Sequence, residues 1–187
     1  MGERVVVVTA SLPERHEYRA ECIRAVEAQT VKPVAHIVMI DHERVGPAIV
    51  LNRMLTSALA CDADWIAQVA DDDLLYPEHL QTLLEASVEA SVEADIVYSY
   101  CDVEGRDWFD PNAPFDAERL RQQNYIPATT LIRAELCREL GWRADSAHGF
   151  EDWDFWLRAL DAGARFVCVE QRTWLYRFHG ANLSYHY

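Results

Sequence analysis

The chain opens on an unbroken apolar, β-branched run, "RVVVVTA" at 4 to 10, as expected of a strand covered on both faces. The pattern then changes period. "EYRAECIRAVEAQ" at 17 to 29 places apolar or small residues at 18, 22, 25, 26 and 29, the spacing of one helical face. "VAHIVMI" at 34 to 40 predicts a second strand ended by Asp41, and "GPAIVLNRMLTSALA" at 46 to 60 a helix with Pro47 suited to its first turn. "DWIAQVA" at 64 to 70 predicts a third strand, and it runs straight into Asp71, Asp72 and Asp73. Pro77 then sits where a helix tolerates proline, with Leu80, Leu83, Leu84 and Val88 forming one apolar stripe behind it. "DIVYSYCDV" at 95 to 103 reads as a fourth strand.

The order βαβαβαβ implies an α/β fold, a three-layer sandwich around a mostly parallel central sheet, in which ligands collect beyond the carboxyl ends of the strands. Thr9 to Arg15, Asp41 to Arg44 and Asp71 to Asp73 then share one edge. Beyond residue 103 the texture differs. "DWFDPNAPFD" at 107 to 116 is rich in turn residues and aromatics, and short elements follow up to "HGFEDWDFWLRALDAG" at 148 to 163. There Trp153, Trp156, Leu157 and Leu160 recur at helical spacing, Glu151 and Asp152 fall in the first turn, and Gly163 is placed to stop the helix. Asp154 and Arg158 form an i, i+4 pair. No repeat or linker separates the halves, so the expectation is one domain over 1–187, with the alternating strands and helices to about 103 and a cap from about 104.

Composition narrows the function. Half of the 187 residues are apolar, enough for a sizeable core, and no run is long enough to span a bilayer. The opening segment has about six apolar residues, fewer than the roughly seven to fifteen of a signal-peptide core, so a cytoplasmic location is expected. Cys22, Cys61, Cys101, Cys137 and Cys168 are scattered singly, which argues against a disulfide framework or a zinc site. With 31 acidic residues against 17 basic ones, the net charge of −14 repels nucleic acid and anionic membrane surfaces.

Three adjacent carboxylates repel one another and need hydrogen bonds, helix dipoles or a cation to hold them together. Oxygen ligands suit a hard ion such as Mg²⁺ or Mn²⁺, with a substrate phosphate completing the shell; a solvated turn with one aspartate capping the helix at Pro77 is the other reading. For Glu151 and Asp152, helix capping likewise stands beside a catalytic role. In "YRFHGANLSYHY", Arg177 and His179 alternate outward from a strand-like segment and form one of the few basic spots in the chain.

The ordered set "ADDDLLYPEHL", "NYIPATTLIR", "GFEDWDFWLRALDAG" and "YRFHGANLS" resembles the family 2 glycosyltransferases of the GT-A fold, from Val5 to Ser184. The resemblance implies an inverting, metal-dependent hexosyltransferase that takes a nucleotide diphosphate sugar, a UDP-sugar first, and transfers the sugar to a carbohydrate acceptor with Mn²⁺ or Mg²⁺. It implies that the aspartate cluster is the D-x-D motif, with Asp72 at the principal metal-ligand position and Asp71 and Asp73 beside it. Asp41 matches the carboxylate that contacts the base, Thr9 the first-strand loop of the uracil pocket, Asp152 the catalytic base, and His179 a histidine near the metal and diphosphate. Ser11, Arg15 and Asn52 are assigned to the nucleotide side with Asp71. The sequence departs from the family at Ala70, where an acid is frequent, and at "DHER", where Asp-Asp-Gly-Ser is frequent. Two alternatives stay open: a nucleotide-sugar-binding protein of this fold without turnover, and a nucleotidyltransferase, the latter opposed by the lack of a Gly-rich basic loop after the first strand. Oligomeric state, with a homodimer among the options, is left open.

Overall fold

The computed structural model describes residues 2–89, 93–105, 111–145 and 150–179. Parts of three motifs above, 107–110, 148–149 and 180–184, lie outside the described residues. The first half follows the predicted alternation: β1 (Val5–Ser11), α1 (His16–Glu27), β2 (Ala35–Ile40), α2 (Pro47–Leu59), β3 (Trp65–Gln68), β4 (Leu74–Leu75), α3 (His79–Glu89) and β5 (Ile96–Glu104). A short 3-10 turn, Pro13–Arg15, joins β1 to α1. The second half adds α4 (Ala117–Gln122), β6 (Thr130–Arg133), α5 (Ala134–Leu140), α6 (Glu151–Asp161) and β7 (Phe166–Arg177).

These strands form one sheet in the order β2-β1-β3-β6-β5-β7-β4. The pairs β1 with β2, β1 with β3, and β5 with β7 are parallel, whereas β6 runs antiparallel to both β3 and β5, and β4 runs antiparallel to β7. Five strands therefore point one way, and their carboxyl ends share one edge. The antiparallel β6 and the two-residue β4 are additions to the predicted βαβαβαβ scheme.

Alternation along β1 explains why the sheet is covered on both faces. Val6 and Val8 pack with Ile66, Ile132, Phe155 and Trp156 and with α2 residues such as Met54, while Val5 and Val7 pack with Cys22, Val26, Trp65, Leu80 and Leu83. Helices α2, α5 and α6 thus cover one face, and α1 and α3 the other. Along α3 the predicted stripe holds for Leu80 and Leu83, which are fully buried, but Val88 is 63 % exposed near the helix end. Gly163, at φ 82°, ends α6 as expected: its own N–H and that of Ala164 return to the carbonyls of Leu160 and Ala159. Arg158 pairs with Asp154 at 2.8 Å and also donates to the carbonyls of Leu140 and Gly141, so it ties α6 to the end of α5. All five cysteines are free. No helix among the described residues is long and apolar enough to cross a membrane.

Candidate active site

Along the carboxyl edge of the parallel strands lies a cavity of about 520 Å³. Its wall takes Ser11 and Arg15 from the end of β1, Asp41 and Arg44 from the loop after β2, Asp71 to Asp73 after β3, and Glu151 and Asp152 at the start of α6. Pro47, Val50 and Leu51 of α2, with Tyr125 and Ile126, give it an apolar side.

The three aspartates turn back on themselves, Asp73 N–H donating to the carbonyl of Ala70, so their side chains leave in different directions. The Asp71 carboxylate accepts from Ser11 Oγ at 2.6 Å and from Arg15 at 2.8 Å. Asp72 meets Arg15 and His179 Nε2, each at 3.0 Å, and its backbone carbonyl accepts from Arg177 Nε at 2.6 Å. Asp73 accepts from Thr129 Oγ1 at 2.5 Å through Oδ2. All three are buried. None caps a helix, since β4 lies between them and α3. Burial opposes charge on Arg15, but Asp72 and Asp71 outweigh it and raise its pKa. Burial and the neighbouring Asp72 push the Asp73 carboxyl well above the usual range, against the opposing pull of Thr129 and Arg177.

The basic partners are themselves braced. The His179 ring stacks on Tyr18 at 4.8 Å, and Arg177 lies over the same ring while pairing with Glu21 of α1.

Asp152 occupies the second position of α6, opposite in sequence but on the same cavity. Its Oδ1 accepts from the Trp153 N–H at 2.7 Å and from Asn124 Nδ2 at 3.2 Å; among the described residues Oδ2 has no hydrogen-bond partner. Burial, reinforced by the charge of Glu151, raises its pKa from 3.8 to about 7, against those two hydrogen bonds. Asp152 thus does cap one amide of the first turn, and it does so with one oxygen only.

Other expected positions fall elsewhere. The Thr9 hydroxyl faces the α1 layer, bonded to His36 at 3.0 Å and near Cys22, and does not line the cavity; burial lowers His36 to about 4, which keeps that ring neutral. Asn52 clamps the backbone of Trp142 from both sides, at 2.6 and 2.9 Å, and is likewise outside the lining. Asp41 does line it, but both oxygens accept backbone N–H groups, from Val45 at 3.0 Å and Gly46 at 2.9 Å, so it shapes the loop ahead of α2. Arg44, expected on this edge, lines the cavity, as do Gln68 and Asn124, which the sequence had not marked out. For Gln68 the available signal is one carboxamide inside an otherwise apolar strand.

No protein-family model matches the chain, and no curated protein matches it by sequence. Solved structures do match by shape. The chain is similar to TarS residues 1–349 from S. aureus in complex with UDP-GlcNAc, at a TM-score of 0.74 and 13% identity, over 98% of this chain and 61% of that one. The complex of the same protein with UDP gives a TM-score of 0.71 at 12% identity, covering 94% and 60%. A mannosyltransferase from Pyrobaculum calidifontis, PcManGT, in complex with GDP-Man and Mn²⁺, gives 0.68 at 16% identity, covering 100% and 60%. The chain spans about three-fifths of the length of each of these. These neighbours are glycosyltransferases of GT-A-like fold, and that is the fold of this chain.

Proposed function

We propose that the protein transfers a sugar, a hexose first, from a nucleotide diphosphate sugar to a hydroxyl of a carbohydrate acceptor, with a divalent metal and with inversion. The observation that carries this reading is Asp152 Oδ2, which has no hydrogen-bond partner among the described residues, on the wall of a cavity that also takes in Asp71, Asp72 and Arg15, with His179 bonded to Asp72. A carboxylate near pKa 7 with one oxygen fixed and one open is suited to take a proton at neutral pH. The complexes of the structural neighbours with UDP, UDP-GlcNAc and GDP-Man support a nucleotide-sugar donor, and UDP-sugars come first among candidates.

The residues present fit a metal that borrows ligands from its substrate. Among the described residues no cluster of three or more His, Cys, Asp or Glu donors forms an all-protein cage. Asp72 Oδ2 and His179 Nε2 lie 3.0 Å apart, and two adjacent ligands of an octahedral ion with bonds of about 2.1 Å stand about 3.0 Å apart. Asp72 and His179 would hold Mn²⁺ or Mg²⁺, with Asp73, the residue after Asp72, as a further oxygen donor. When bound, the ion supplies positive charge to the leaving diphosphate. Arg15 adds a fixed cation beside it, and Ser11 orients Asp71. The acceptor hydroxyl gives its proton to Asp152 Oδ2 as its oxygen forms the new bond to the anomeric carbon; the bond to the diphosphate breaks, and the nucleotide leaves with that electron pair. Residues 1–103 serve as the donor half and 104–187 as the acceptor and catalytic half of one domain, working in the cytoplasm.

Calorimetry with UDP tests the donor and metal together. Binding should require Mn²⁺ or Mg²⁺ and fall at least about tenfold in chelator or in Asp72→Ala, since a diphosphate in so acidic a protein lacks enough basic residues to neutralise it. Equal affinity with and without the metal would refute metal dependence, and no binding of UDP or any other nucleotide diphosphate would refute the donor assignment.

A further inference from the structure

Buried acceptor oxygens without a donor are costly, by about 1–3 kcal/mol each, and native folds hold few of them. Among the described residues the buried, unpartnered side-chain oxygens are Gln68 Oε1, Asp73 Oδ1 and Asn124 Oδ1. All three residues line the same cavity. Every other such atom is a nitrogen, on a tryptophan or on Arg177. Among the sealed, unpartnered side-chain atoms of the lining residues all three are oxygens, so at these points the wall wants hydrogen-bond donors. A nucleobase edge or a diphosphate brings mostly acceptors, whereas a pyranose brings several hydroxyl donors around one ring.

Asp73 belongs to the acidic cluster already described, but the two carboxamides do not. Gln68 ends β3, in register with Val8 of β1 and Thr130 of β6, and is 8 % exposed. Its carboxamide makes no hydrogen bond at either end among the described residues. The terminal torsion of a glutamine is broad, so the group can turn its oxygen toward the cavity without leaving its packed position. Asn124 commits its Nδ2 to Asp152 and keeps its oxygen unmatched, immediately beside the proposed base.

We propose that Gln68 and Asn124 are specificity-determining residues that accept hydrogen bonds from hydroxyls of the transferred sugar. This rests on the donor reading above and deepens it, assigning the hexose ring, and not the nucleoside, to this pair. In the free protein each carboxamide oxygen is held unmatched among the described residues, and the sugar of the bound donor supplies the missing hydroxyl. Gln68→Met keeps the length of the side chain and removes the unmatched polar group, so it should melt no lower than the parent and leave UDP affinity unchanged. Affinity for the UDP-hexose that the parent binds best should fall about tenfold in Gln68→Met and in Asn124→Ala, the scale of one lost hydrogen bond to a ligand hydroxyl.

The test is calorimetry of parent, Gln68→Met and Asn124→Ala with two probes, UDP and that UDP-hexose, both with Mn²⁺, alongside thermal melting. Weaker binding of the UDP-hexose with unchanged UDP binding supports the proposal. Equal loss for both probes would assign the pair to the nucleoside, no loss for either would leave it without a ligand role, and a drop in melting temperature of Gln68→Met would make that residue structural; each overturns it. Should the parent bind neither probe, the donor reading itself fails, which is a separate outcome from parent binding that the two substitutions leave untouched.

Discussion

Asp152→Asn separates catalysis from capping and also measures what the buried charge costs the fold. Asparagine can accept both bonds now made to Oδ1, from the Trp153 N–H at 2.7 Å and Asn124 at 3.2 Å, so the first turn of α6 should be preserved. Only the proton-accepting oxygen is lost. Transfer should fall by about two to four orders of magnitude with donor affinity unchanged. In the parent, kcat/KM should rise with pH and level off above about 7, because the base works ionised, and the variant should lack that rise. Stability should move the other way. The folded pKa of about 7 lies above the ordinary 3.8, so the protonated form favours folding; that contribution is whole below about pH 4 and is lost as pH rises through about 7. At about 1.4 kcal/mol per tenfold the ceiling is about 4 kcal/mol, lowered because the carboxylate is in part open to the cavity. The neutral asparagine escapes that loss. Its melting temperature should match the parent near pH 4 and exceed it by several degrees at pH 8, at about 2–4 °C per kcal/mol for a chain of this size. Parent-like transfer in Asp152→Asn would end the assignment of the base, and a melting difference independent of pH would end the buried-charge account.

Two further substitutions probe the supports of the site. Asn52→Ala removes both clamps on Trp142 and should destabilise by about 1–3 kcal/mol in a denaturant titration while UDP binding stays unchanged; weakened UDP binding at full stability would return Asn52 to the donor site. Gly105→Ala drives a Cβ into the Phe178 carbonyl oxygen at a residue with φ +90°, so the strand end carrying His179 must shift. Melting should drop by more than about 1 kcal/mol equivalent, and the metal-dependent gain in UDP affinity should shrink; a silent substitution would show that this strand end does not position the histidine.

The legible parts of the sequence were those in which a local pattern and a tertiary role coincide. The valines of β1 read as a doubly covered strand because their alternation serves two cores, and α6 announced itself through its aromatic stripe and Gly163. The aspartates were legible as a strand-end cluster, and the resemblance put His179 near them, but the bracing by Ser11 and Thr129 arrives from distant segments that no local pattern pairs with them. β6 escaped because four residues, "TLIR", give no period to read, and its insertion between β3 and β5 is decided by pairing partners far along the chain. Thr9, named from the resemblance, turns its hydroxyl to His36 and Cys22 and lies outside the cavity lining, which begins at Ala10 and Ser11. Asn52 fell one position beyond Leu51 on α2, which turns it about 100° away, toward Trp142.

Arg177 and His179, which hold Asp72 in place, follow it by 105 and 107 positions. Until β7 docks beside β5, the folding chain carries three adjacent carboxylates at the end of β3 without those two basic partners. The acidic cluster therefore opposes early consolidation of the very edge on which it sits, and long-range closure of this kind slows folding. The last strand to be synthesised among the described elements acts as the latch of the site, so errors in its two register shifts, at Ser99/Tyr100 and Tyr100/Cys101 of its partner strand, would be felt first as misplaced charge at Asp72.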